Sequence, residues 1–131
     1  MSKDMLVDIF ERQKAAQVDR GFSFPMSGEQ RANYIKLHAL HCIDEMCEML
    51  HEVKGYKEWK RYDYADEFTN KIEHNKVIDE MADVLHFFVN VALGLGISAE
   101  DLHEAYLNKH RVNKLRLEDI DNYKRDMEGN T

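Results

Sequence analysis

Apolar residues recur along the chain at spacings of three and four, which is the helical period. Met5, Leu6, Ile9, Phe10, Gln13 and Ala16 fall on one stripe and predict a first helix over residues 3–18. Gly21, Pro25 and Gly28 break the pattern and predict a loop. Ser27, with Gln30 three residues on, has the spacing of a capping box. It predicts the start of a second helix over residues 29–53, which Gly55 terminates. Tyr34, Leu37, Leu40, His41, Asp44 and Glu48 share a broad face of that helix. Residues 56–70 are aromatic and charged without clear periodicity, and predict an ordered loop with room for one short helix. A third helix is expected over residues 72–95. Val77, Ile78, Met81, Val84, Leu85, Phe87, Phe88, Val89, Val91 and Leu93 make it apolar nearly all round, so burial on most sides is expected. Gly94 and Gly96 stop it, and Ser98 with Asp101 forms a capping box for a fourth helix reaching about residue 124.

The expected fold is therefore all-α, a four-to-five-helix bundle in a single domain over residues 1–131. One proline and six glycines are too few breakers for a many-stranded alternative. Helices this long commonly finish burying themselves against a second subunit, so an oligomer is expected. Hydrophobic residues at 44% and charged residues at 33% describe an ordinary soluble chain. The longest apolar stretch, residues 84–97, is broken by His86, Asn90, Gly94 and Gly96, and no membrane span is expected. No secretory signal is visible in the first residues, and a cytoplasmic location is expected. Cys42 and Cys47 lie five apart on one helix, are not expected to pair, and read as buried thiols of a reducing compartment. The net charge of -7 argues against a nucleic-acid partner. An acidic protein that handles a polyphosphate has to recruit cations.

Four acidic residues carry the candidate chemistry. Glu45 and Glu48 lie three apart on the second helix, hence on one face. Glu80 and Asp83 repeat that spacing on the third. Either pair alone would suit a solvated face, or for the second pair the helix dipole. Together, and with one pair on a nearly all-apolar helix, they need a reason to stay charged, because unpaired carboxylates are costly to bury. A hard divalent cation held between helices two and three supplies one, and magnesium shares such oxygens with substrate phosphates. Manganese is the alternative ion.

The histidines allow a competing reading. Glu48 with His51, and Asp83 with His86, have the spacing of di-iron bundle motifs, with Glu11 and Glu104 on the outer helices. Aspartate in the second motif counts against it. His38 and His41 lack the further ligands of a zinc site and read as surface or core residues. Lys109, Asn113 and Arg116 recur on one side of the fourth helix and suit either a phosphate clamp or a solvated basic face. Trp59, between Lys57 and Lys60, suits a core aromatic or a base-stacking platform.

The two acidic pairs resemble the metal signature of the all-α nucleoside triphosphate pyrophosphohydrolases, the MazG-like superfamily, and most closely its dimeric dUTPase branch. The matching segments are LVDIFERQKA, IDEMCEMLHEVKGYKEWK, VIDEMADVLHFFVNVAL and AYLNKHRVNKLR, which cover most of the chain. The resemblance implies a homodimer, with a tetramer as alternative. It implies Mg²⁺-dependent hydrolysis of a deoxynucleoside triphosphate, dUTP first, to the monophosphate and pyrophosphate. It implies metal on Glu45, Glu48, Glu80 and Asp83, with Glu45 or Glu48 acting on the water. It places Gln13, Trp59 and Phe87 about the nucleoside, and Lys60, Lys109, Asn113 and Arg116 near the phosphates. Hydrolysis of dCTP, or of several nucleotides, is the alternative within this class. A non-catalytic helical interaction module is the alternative outside it.

Overall fold

The computed structural model of the chain describes residues 4–53 and 71–129. Four helices account for most of them: α1 (Met5–Asp19), α2 (Gly28–Glu52), α3 (Lys71–Leu95) and α4 (Ala99–Gly129). No strand occurs among the described residues, in line with the helical period of the sequence. The chain divides into two compact units, Met1–Ile97 with α1 to α3 and Ser98–Thr131 with α4.

The first unit is built on α2 and α3, packed antiparallel. Arg31 at the start of α2 donates from Nε to the Gly94 carbonyl at 3.0 Å. Further along, Cys42 Sγ reaches the Val84 carbonyl at 3.6 Å. The covered positions of α2 include Arg31, Ile35, His38, Cys42, Glu45 and Met49, spaced alternately four and three. Those of α3 include Val77, Glu80, Val84, Phe87, Val91 and Gly94 with the same alternation. A 3.5-residue period keeps one stripe facing its partner along the full contact. Two carboxylates, Glu45 and Glu80, occupy positions in that seam which apolar side chains would ordinarily fill.

Gly94 lets the helices close. A Cβ there would stand 2.8 Å from Cδ1 of Tyr34 and 3.1 Å from Cγ1 of Ile35. The Tyr34 ring cannot retreat easily, because Phe22, Phe24 and His38 pack around it at centroid distances of 5.0, 5.9 and 4.2 Å. Helix α1 packs on α3, and Phe10, Val89 and Ala92 are buried there. Val89 is fully covered, which contributes about 1.5–3 kcal/mol.

Several local expectations need correction. Ser27 is the N-cap of α2, but its side chain makes no capping hydrogen bond. Gly28 follows at φ +62°, and the first turn closes through the backbone alone, with the Arg31 amide donating to the Ser27 carbonyl at 3.3 Å. Instead Asp4, which the periodicity did not single out, caps α1 through bonds from the Leu6 and Val7 amides at 3.0 and 3.1 Å. The inner stripe of α2 carries Tyr34 and His38, whereas Leu37 and Leu40 point outward and are half exposed. Helix α3 is not covered on most sides: Ile78, Met81, Leu85 and Phe88 form a second, outward stripe. Cys47 is exposed and only Cys42 is partly covered, so the two are not both core thiols.

The second unit matches its capping expectation. Ser98 Oγ accepts from the Asp101 amide at 3.0 Å, and Asp101 Oδ2 accepts from the Ser98 amide at 3.4 Å. The helix that follows runs on to Gly129, past the expected end. The expected loop over residues 56–70 lies outside the described residues.

Candidate active site

The seam brings three of the four acidic residues to one point. One carboxylate oxygen from each of Glu45, Glu48 and Glu80 lies within 4.8 Å of the others. Glu45 and Glu48 are one helical turn apart on α2, and the antiparallel register sets Glu80 opposite them. Glu80 lies nine residues inside α3, so the dipole of that helix's N-terminus does not account for it. Asp83 stands one turn further along α3. It acts on Glu45 through its charge and holds His86 Nδ1 at 3.8 Å from its own Oδ1.

Oε2 of Glu45 and Oε2 of Glu80 are both buried, and neither has a hydrogen-bond partner among the described residues. Desolvation, then the closeness of Glu80, then Glu48 and Asp83, push the Glu45 carboxyl up to about 7. Such a group takes up a proton or a cation near neutral pH. The donors are all hard carboxylate oxygens converging from two rigid helices, which suits a divalent ion such as magnesium. Among the described residues, the set close enough to share an ion contains no histidine, as a di-iron site would.

Beside the carboxylates opens a cavity of about 390 Å³. Glu45, Asp83 and His86 form its acidic end. Gln13, Ala16 and Arg20 of the first helical segment line it with Phe87 and Asn90 of α3. The volume falls in the usual range for small-molecule sites. Phe87 forms an aromatic wall, with its ring centroid 5.0 Å from that of His41 and 5.8 Å from that of His38.

Two of the lining side chains, Gln13 and Asn90, form a connected polar set with His38. Gln13 Nε2 donates to Asn90 Oδ1 at 2.8 Å, and Asn90 Nδ2 donates to His38 Nδ1 at 3.2 Å. Asn90 and His38 are buried. Burial, then His41 and Arg20, lower the His38 pKa, which favours the neutral ring that accepts from Asn90. Close by, Tyr34 donates its hydroxyl to Gln17 Oε1 at 2.9 Å, and burial pushes that hydroxyl up to about 12. The Gln17 Nε2 is buried without an acceptor among the described residues.

Of the residues expected at the site, Glu45, Glu48 and Glu80 converge, while Asp83, Gln13 and Phe87 line the adjoining cavity. Trp59 and Lys60 lie outside the described residues. Lys109, Asn113 and Arg116 are exposed along α4, in the second unit. Arg20 and Asn90 also line the cavity; nothing in the sequence pattern singles out Arg20, and Asn90 shows there only as an amide inside an otherwise apolar run.

A family model described as dUTPase matches residues 5–98. The matched span contains α1 to α3, and with them the three converging carboxylates, Asp83 and the cavity. No curated protein and no solved structure gives a match.

Proposed function

The chain belongs to the all-helical dUTPase family, and from that premise we propose that it hydrolyses a deoxynucleoside triphosphate, dUTP first, to the monophosphate and pyrophosphate. The observation that carries this reading is the pair of buried oxygens on Glu45 and Glu80 that find no hydrogen-bond partner among the described residues, with Glu45 lining a cavity of about 390 Å³.

Glu45, Glu48 and Glu80 would hold Mg²⁺, with Asp83 beside them. The ion, once bound, offsets negative charge on the phosphate oxygens as the α-phosphorus is attacked. Glu45 or Glu48 orients the attacking water and takes its proton, since each presents a carboxylate at the same point. Phe87 offers an aromatic face to the base, and Gln13 offers an amide. The family resemblance assigns Lys60, Lys109, Asn113 and Arg116 to the triphosphate tail and Trp59 to the base. The water attacks phosphorus, the bond to the bridging oxygen breaks, and pyrophosphate departs.

The same reading includes a homodimer. The outward stripes Ile43, Met46 and Leu50 on α2 and Ile78, Met81, Leu85 and Phe88 on α3 repeat the spacing of the inner seam. Two copies joined through them would complete a four-helix core.

Pyrophosphate release from a panel of nucleoside triphosphates, with and without Mg²⁺, tests the activity. Release from dUTP that requires Mg²⁺ is expected, together with a loss of about two orders of magnitude or more in Glu80→Gln. Full turnover by Glu80→Gln would overturn the metal assignment.

A further inference from the structure

An amide is a two-faced reader of pyrimidines. Uracil presents an acceptor at position 4 and a donor at position 3, and cytosine presents the reverse. An amide in a fixed orientation therefore matches one of them, and turned over it matches the other. Selectivity then depends on whatever fixes the orientation of the amide.

In this cavity that role falls to a residue one step removed. Gln13 lines the cavity, and its Nε2 is committed to Asn90 Oδ1 at 2.8 Å. Asn90 is in turn committed through Nδ2 to His38 Nδ1 at 3.2 Å. Asn90 is 1% exposed and His38 7%, so neither amide nor ring exchanges its partner for bulk water. The His38 ring is held in place by Tyr34 at 4.2 Å and Phe87 at 5.8 Å. The chain has a direction: an acceptor at its root, a donor and acceptor in its middle, a donor at its head. Reversing the root would reverse every bond above it.

We propose that His38 is a positioning residue for base selectivity, which holds the Asn90 and Gln13 amides in a single polarity against a pyrimidine in the cavity. This rests on the reading of the cavity as the nucleobase site of a dUTP-hydrolysing enzyme. His38 does not touch the substrate; it acts through two amides. With Nε2 committed to Asn90, Gln13 keeps Oε1 as an acceptor, which suits the N3–H of uracil and not the bare N3 of cytosine.

The test compares kcat/KM for dUTP and dCTP in Mg²⁺ buffer for the parent, His38→Phe and His38→Asn. Phenylalanine keeps a ring among Tyr34 and Phe87 but removes the acceptor. Asparagine sets an oxygen near the place of Nδ1. The parent is expected to prefer dUTP. In His38→Phe the dUTP-to-dCTP ratio falls by about ten- to a hundredfold, the size of one misdirected buried hydrogen bond, mainly through KM for dUTP. In His38→Asn the ratio stays near that of the parent. A ratio unchanged in His38→Phe, or lost equally in both variants, overturns the proposal. A purely structural role would depress both substrates alike. If His38→Phe does not fold, nitrogen-detected NMR of the parent decides: a proton on Nε2 with a bare Nδ1 supports the relay, and a proton on Nδ1 overturns it. A parent that hydrolyses both nucleotides equally overturns the relay and leaves the hydrolase reading standing. A parent that hydrolyses neither removes that reading itself.

Discussion

Glu45 on α2 and Glu80 on α3 meet in the helical seam, each with one buried carboxylate oxygen that no donor among the described residues reaches. Other seam positions such as Ile35, Val77 and Val84 are apolar, so the fold carries two carboxylates where apolar side chains would ordinarily pack. Such an arrangement destabilises the metal-free chain and favours any cation that binds there. Glu45→Gln should therefore act with opposite signs on stability and function. It removes charge repulsion, so the midpoint of thermal unfolding without Mg²⁺ rises. The Mg²⁺-induced shift disappears, and turnover falls by about a hundredfold or more. A variant that loses stability while keeping its Mg²⁺ response would contradict this account.

The same pair sets a pH dependence. The Glu45 carboxyl stands at about 7 in the folded chain, against 4.5 as its ordinary value. The folded state thus binds that proton more tightly than the unfolded state. Its contribution to stability is complete below about pH 4.5 and is lost as pH rises through 7. A divalent ion competes with the proton. The rise in unfolding temperature on adding Mg²⁺ should accordingly be larger at pH 8 than at pH 6, and in Glu45→Gln it should be absent at both.

His38 contributes with the other sign. Burial first, and then His41 and Arg20, hold its pKa below 6.5. The unfolded chain takes a proton that the folded ring resists, so stability from this residue is present above pH 6.5 and is lost as pH falls below it. Urea midpoints at pH 7.5 and 5.5 measure the effect. The drop between the two should be smaller in His38→Phe than in the parent, a difference that cancels the contribution of Glu45, which both share.

The acidic pairs were legible in the sequence because a three-residue spacing on a helix places side chains together whatever the helix packs against. Which face of α2 points inward was not legible. That helix carries two apolar stripes of similar period, one with Tyr34 and Ile35 and one with Leu37, Leu40 and Ile43, and periodicity alone cannot rank them. The third helix misled for the same reason: a nearly uniform apolar sequence fits one buried helix, or a helix with an inner and an outer stripe. The Gln13–Asn90–His38 chain was out of reach, because its bonds join residues 77 and 52 positions apart. Only the register of α2 against α3, and of α1 against both, brings them together. The capping box at Ser98 forms because both of its bonds are local, whereas at Ser27 only the backbone bond from Arg31 closes the turn.

Gly94 lies where Tyr34 and Ile35 of α2 come close to the backbone of α3. In an ordinary helix interior, alanine would be the better residue by about 0.5–1 kcal/mol. Here the added methyl would lie 2.8 Å from the Tyr34 ring, which Phe22, Phe24 and His38 confine and Gln17 tethers. Overpacking of this kind typically costs about 1–3 kcal/mol and outweighs the propensity gain. Gly94→Ala should lower stability, as read from the urea midpoint, and a pairing with Tyr34→Leu should recover part of the loss by removing the ring edge. An alanine variant more stable than the parent would mean that the helices separate there at little cost.

Arg31 closes the same end of the seam from the other helix. Its Nε donates to the Gly94 carbonyl at 3.0 Å and its Nη2 to the Leu95 carbonyl at 3.2 Å. Those carbonyls belong to the last turn of α3, where no intrahelical amide remains to satisfy them and where a cation also meets the negative end of the helix dipole. A guanidinium spans both oxygens at once, which a lysine ammonium does less well. Arg31→Ala should lose about 1–2 kcal/mol of stability, and Arg31→Lys should lose less. The end of α3 should also exchange its amide hydrogens faster in Arg31→Ala, from Val91 to Leu95, while the middle of the helix around Glu80 keeps its protection. Uniform loss of protection along α3 would show that Arg31 stabilises the helix pair as a whole rather than its open end.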